Sequence, residues 1–219
     1  MLDRIKRFIK NRKLETLKPF GKNLPEKSLK ITLCGNDTEA TSAFVDQFFE
    51  IESVQIVLGN ILDLDTTALV SPANSFGEMS GGLDKAIDNF YDQRAQKSAM
   101  TLVQEKYFGE LPVGNAEILS MATDTFPYLI LAPTMRIPGK LPADSINAYL
   151  AMRAALISIL EFNRFKPGGI SSVAIPSFCT GVGGMHYIES AKQMKTAYEM
   201  IILNKYKDVI HPSLAPYCL

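Results

Sequence analysis

From residue 29 onward, short β-branched and aliphatic runs alternate with longer stretches whose apolar positions recur every three or four residues. The short runs are LKITLC (29–34), VQIVL (54–58), TTALVS (66–71), AEILSM (116–121), YLILA (128–132) and SVAIP (172–176). Each has four to six residues between turn-formers and reads as a strand. The longer stretches, about 38–50, about 83–107, 144–164 and 188–205, read as amphipathic helices; Ile146, Leu150, Ala154, Ile157 and Leu160 mark one apolar face. This alternation predicts an α/β fold with a sheet covered by helices on both faces.

The first 28 residues break the pattern. They are rich in lysine and arginine, and Pro19, Gly21 and Pro25 interrupt regular structure, so residues 1–28 read as a basic extension and 29–219 as one domain. Within the extension, Leu2, Ile5, Phe8 and Ile9 stand at helical spacing against Lys6, Arg7, Lys10 and Arg12. That spacing describes a small basic helix, docked on the domain or a sister chain or engaged with a membrane surface or partner.

Composition narrows the partners. Lysine plus arginine equals aspartate plus glutamate at 23 each, so no global basic field draws the chain to nucleic acid, and no direct nucleic-acid binding is expected. The three cysteines, Cys34, Cys179 and Cys218, are too scattered for a disulfide framework or a zinc cluster. No apolar run approaches the roughly 20 residues of a membrane span. The expectation is a cytoplasmic protein with no catalytic metal and no cofactor.

Ligands of such sheets bind where loops leave the carboxyl ends of strands, and two loops there are rich in glycine. The first runs from Pro72 through Ala73, Asn74, Ser75, Phe76, Gly77, Glu78, Met79, Ser80, Gly81, Gly82 and Leu83 to Asp84, where a helix begins. The second runs from Ser177 through Phe178, Cys179, Thr180, Gly181, Val182, Gly183 and Gly184 to Met185. Glycines before a helix let backbone N–H groups approach an anion, and two such cradles on one sheet edge suit a diphosphate. Neither loop has the lysine of a P-loop. His186 stands where a GxGxxG fingerprint needs its third glycine, and Met185 where a cysteine phosphatase needs its arginine.

The run VLGNILDLDTTALVSPANSFGEMSGGLDKAI resembles the macro-domain signature: a Gly-Asp-Ile turn, a strand, Asn-x-Ala-Asn-Ser, a triple glycine and a hydrophobic-Asp pair opening a helix. VGNAEIL, YLILAPTMR and IPSFCTGVGGM continue the likeness in order, over about residues 29–205. The chain is similar especially to bacterial and phage-type members with an Ala-Pro-Thr-Met-Arg segment. The resemblance implies a three-layer α/β/α domain with a central mixed sheet that binds ADP-ribose or an ADP-ribosylated substrate. It further implies either hydrolysis of an ADP-ribose linkage or a non-catalytic reader of ADP-ribose or another NAD-derived nucleotide.

Carried over by position, the resemblance gives the diphosphate to Gly81, Gly82, Leu83, Thr180, Gly181, Val182 and Gly183. It gives the distal ribose to Asn74 and the positioning of water to Asp84. Ile61, Ala73, Ser80, Ser177, Cys179, Gly184 and Met185 join the ligand-binding set. The bland alternatives are a turn cap for Asn74, a favourable first-turn acid for Asp84 and a small buried side chain for Cys179. Three positions depart from the pattern: Asn60 replaces the adenine-contacting aspartate, Ser80 the first glycine of the triplet, and Gly183 the aromatic over the distal ribose. Arg136 reaches a phosphate or carboxylate of the substrate or forms a surface salt bridge, and His186 is a weak candidate for a general acid.

Overall fold

A computed structural model describes residues 14–22, 28–209 and 211–214. The proposed basic helix at Leu2 to Arg12 lies outside them. Among these residues seven strands form one mixed sheet: β1 (Glu15–Lys18), β2 (Lys30–Gly35), β3 (Val54–Leu58), β4 (Ala68–Ser71), β5 (Glu117–Ser120), β6 (Tyr128–Leu131) and β7 (Ser172–Pro176). Their spatial order is β1-β3-β2-β7-β4-β6-β5. The five inner strands run parallel, while β1 and β5 close the edges antiparallel.

Among the described residues the α-helices are α1 (Thr38–Phe48), α2 (Gly82–Phe90), α3 (Arg94–Tyr107), α4 (Asn147–Phe165) and α5 (Tyr187–Ile201). Successive side chains of a strand point to opposite faces, and the core divides accordingly. Ile31, Leu33, Val70, Ile130, Val173 and Ile175 pack with Phe44, Phe48, Met152, Leu156 and Met194 on the α1, α4 and α5 side. Cys34, Leu69, Leu129, Leu131 and Ala174 pack with Ile87, Tyr91, Ala99 and Val103 on the α2 and α3 side. The layered α/β/α arrangement expected from the alternation is the one observed.

Two sequence expectations are corrected. Residues 15–18, assigned to the extension, form an edge strand paired with β3, and the Lys18 ammonium donates to the Ile51 and Val54 carbonyls. ETLK is too short and polar to read as a strand, and its stability comes from pairing with β3. The helix expected over 83–107 is two helices. Asp92 and Gln93 take left-handed backbone, with φ of 53° and 61°. The Asp88 carboxylate accepts from the Gln96 N–H at 2.8 Å, serving the N-terminus of α3. The buried Tyr91 hydroxyl donates to the Phe126 carbonyl at 2.8 Å and fixes the corner.

Candidate functional site

The parallel strands all deliver their carboxyl ends to one edge, and a cleft of about 600 Å³ opens there. Cys34 and Asn36 come from the end of β2, Gly59 to Ile61 from β3, the first glycine loop from β4, Thr134 and Met135 from β6, and the second loop from β7. Asn60, Ile61, Ala73, Asn74, Ser80, Gly81, Gly82, Leu83, Asp84, Ser177, Cys179, Thr180, Gly181, Val182 and Gly183 are brought together in its lining. Gly184 and Met185 are not in that lining. The Met185 N–H donates back to the Cys179 carbonyl at 3.0 Å, and its side chain packs against the core below the loop.

The first loop is held from several sides. Asn74 Oδ1 accepts from the Phe76 N–H at 3.0 Å and its amide nitrogen donates to the Glu78 carbonyl at 2.7 Å, closing the turn ahead of the glycines. The Thr134 N–H donates to the Ala73 carbonyl at 2.9 Å, and the Met79 N–H to Gln96 Oε1 at 2.8 Å. Asn74 therefore lines the cleft and caps its own turn. The loop ends at α2, whose N-cap Gly81 offers no side chain to the first-turn N–H groups. A Cβ placed on Gly81 or Gly82 would meet nothing within 4 Å, and Gly82 sits at φ +55°. The backbone here faces open space, as an anion cradle requires.

Asp84 lies in the first turn of α2 beside that cradle. The Ser71 hydroxyl, at the end of β4, donates to its Oδ1 at 2.6 Å. Burial raises the carboxyl to about 6; the Ser71 hydrogen bond opposes the rise and the Glu78 charge adds to it. Such a group is ionised at neutral pH yet basic enough to accept a proton from water.

The second loop is held from within and by its neighbours, with the Ser190 hydroxyl donating to the Phe178 carbonyl at 2.7 Å. Gly184 N–H donates to the Gly181 carbonyl and Leu141 N–H to the Gly183 carbonyl, at 3.0 and 2.9 Å. Gly181 faces open space, whereas a Cβ on Gly183 would lie 2.5 Å from the Cys179 carbonyl oxygen and 3.1 Å from Leu141 Cδ1. Gly183 is thus demanded by close packing. Cys179 carries a left-handed φ of 63°, a strained conformation for a side chain with a Cβ. Both Cys34 and Cys179 are buried, and burial pushes each thiol up to about 12, which keeps them from acting as thiolate nucleophiles.

Asn60 caps the short 3-10 turn Ile61–Asp63, accepting from the Leu62 N–H and donating to Asp63 Oδ1, both at 3.2 Å. Arg136 forms a paired contact to the Glu110 carboxylate at 2.6 and 3.1 Å and lies 5.7 Å from the Phe76 ring centre, the surface pairing of its two expected roles. His186 is exposed at the N-cap of α5 and is not among the residues lining the cleft. Sequence reasoning did not single out Asn36, Glu78 or Thr134. Asn36 and Thr134 stand just beyond β2 and β6, so weighting every strand end equally would have found them. No group of three or more His, Cys, Asp or Glu arranged to hold a metal occurs among the described residues. Nor is any helix of the described residues long and apolar enough to cross a membrane.

The geometry agrees with the comparisons. The family model of the Macro domain matches residues 70–194. An uncharacterized protein of Aquifex aeolicus is 33% identical over 141 residues, which cover 64% of this chain and 78% of the relative. The Oceanobacillus iheyensis macrodomain with ADP is similar at a TM-score of 0.54 and 25% identity, over 65% of this chain and 73% of that one. Thermosipho africanus DarTG in complex with ADP-ribose shares the fold at a TM-score of 0.52 and 19% identity, over 66% of this chain and 38% of that one. The family match runs from β4 to α5, spans more than half of the sequence and takes in both glycine loops, so the chain belongs to the Macro domain family.

Proposed function

We propose that the cleft binds ADP-ribose and that the chain hydrolyses a bond from its distal ribose to a modified group. The observation that carries this reading is the juxtaposition of Asp84 with the open backbone at Gly81 and Gly82. Diphosphate oxygens would take N–H groups of the two loops, which places the distal ribose near Asn74 and its anomeric carbon within reach of a water held by Asp84. The ADP and ADP-ribose complexes of the two similar macrodomains support the choice of nucleotide. Ser71 holds one carboxylate oxygen, leaving the other as the acceptor for the water proton.

The test is kinetic and calorimetric together. Asp84→Asn is expected to lower turnover on ADP-ribosylated substrates by about 10²-fold or more while ADP-ribose affinity stays within a few-fold. A second reading, a non-catalytic module, is favoured by one observation: both polar ends of the Asn74 amide already serve their own loop. Intact binding with no turnover by the unaltered protein on any ADP-ribosylated protein, nucleic acid or small ester would select that module.

A further inference from the structure

The charged side chains in the cleft lining are Glu78 and Asp84, both acidic; among the described residues no lysine, arginine or histidine joins them. Arg136 is committed to Glu110, and Lys140 lies outside the lining, its stem 3.7 Å from a Cβ placed on Gly184. A diphosphate in this cleft is therefore met by backbone N–H groups and by neutral donors such as Ser80, Ser177 and Thr180, with no cationic side chain and two carboxylates in the lining. Glu78 is held in place. Its Oε1 accepts from the Ser80 N–H at 2.8 Å, which fixes the carboxylate between the Asn74 turn and the glycines, and it is close enough to Asp84 to be felt as a charge. A carboxylate engaged by one backbone N–H retains further acceptor sites for a ligand.

We propose that Glu78, with Asp84, selects ADP-ribose carried on a cationic, guanidinium-type group over ADP-ribose carried on a carboxylate ester or a phosphate. This rests on the ADP-ribose reading of the cleft. An attached phosphate adds like charge beside two carboxylates and a diphosphate, and an ester, being neutral, gains nothing from them, whereas a guanidinium cation is drawn to both carboxylates; that difference in charge is the means of discrimination. In the hydrolytic step, water oxygen bonds to the anomeric carbon as the bond from that carbon to the guanidinium nitrogen breaks. The bonding pair leaves with the nitrogen. The water proton passes to Asp84 and ends on the departing guanidine, so the products are free ADP-ribose and a guanidinium ion, with total charge unchanged.

Calorimetry of the full chain against three probes tests the proposal: free ADP-ribose, an arginine-linked ADP-ribosyl peptide and a glutamate-linked ADP-ribosyl peptide of the same sequence. The expected result is about tenfold tighter binding of the arginine-linked peptide than of the glutamate-linked one, equivalent to about 1.4 kcal/mol. Glu78→Gln keeps an acceptor for the Ser80 N–H and is expected to reduce that ratio to about two or less. Equal affinities in the unaltered protein, or a ratio that Glu78→Gln leaves unchanged, would overturn the proposal. So would magnesium-dependent tightening of free ADP-ribose binding that Glu78→Gln abolishes, because the cation drawn to Glu78 would then be a metal. Failure of all three probes to bind would instead overturn the ADP-ribose reading itself.

Discussion

Both glycine loops line the cleft, but they are built on different terms. The first is tied to its surroundings through side chains, from Asn74, Gln96 and Thr134, and carries both charged groups of the cleft. The second is held by its own Gly184 N–H, by the Leu141 N–H on the Gly183 carbonyl and by the Ser190 hydroxyl on the Phe178 carbonyl, and carries no charged residue in the lining. On the first loop Gly81 and Gly82 open onto space while Gly77 packs against Ala99, and on the second Gly183 is pressed against the Cys179 carbonyl. Similar glycine content conceals two uses of glycine: access at Gly81, Gly82 and Gly181, and packing at Gly183.

The largest expected effect lies on the first loop. Asp84→Asn should lower kcat by about 10²- to 10⁴-fold, the usual worth of a positioned general base, in a single-turnover assay. The same change should raise stability at neutral pH. Burial lifts the folded carboxyl from 3.8 to about 6, so the folded state holds the extra proton between these values and the unaltered protein loses stability as pH rises through that window. Denaturant unfolding at pH 7.5 should show the asparagine variant more stable by up to about 3 kcal/mol, narrowing toward pH 4. A variant less stable at pH 7.5 would mean that the Asp84 charge is compensated. Turnover should rise with pH through about 6, following ionisation of the same group.

The next effect separates the loops by stability. Gly183→Ala should cost about 1–3 kcal/mol, because its Cβ falls on a backbone oxygen and the loop must shift. Gly81→Ala should leave the unfolding midpoint nearly unchanged, since its φ of −132° suits alanine and its Cβ meets nothing. It should nevertheless weaken ADP-ribose binding about tenfold or more, about 1.4 kcal/mol, by placing a methyl group where phosphate is proposed to lie. If Gly81→Ala proved the more destabilising of the two, the contrast would be inverted. The smallest effect belongs to Arg136→Ala. It breaks an exposed pair, and neither the unfolding midpoint nor ADP-ribose affinity should change measurably.

Legibility in the sequence follows the same division. The parallel strands were readable because both faces are buried, leaving near-continuous apolar runs such as VQIVL and SVAIP. The edge strand ETLK carries no such signal, and the break between α2 and α3 is made by Asp92 and Gln93, neither of which announces a left-handed turn as glycine would. At the cleft, loop position after each strand brought most lining residues into view. Their roles were less visible. Gly183 reads from sequence as a missing aromatic wall, yet the folded chain has no room there even for a methyl group without moving backbone. Glu78 was passed over because it stands between recognisable motif residues, and only the fold reveals that the cleft's charge is wholly acidic.

The central claim is that the two loops together form one ADP-ribose site, and isothermal titration of the full chain with ADP-ribose, AMP and NAD side by side tests it most directly. The expected result is saturable one-to-one binding of ADP-ribose that is tighter than that of AMP and is weakened about tenfold or more by Gly81→Ala. Absence of saturable ADP-ribose binding at millimolar concentration, or binding indifferent to that substitution, would contradict it.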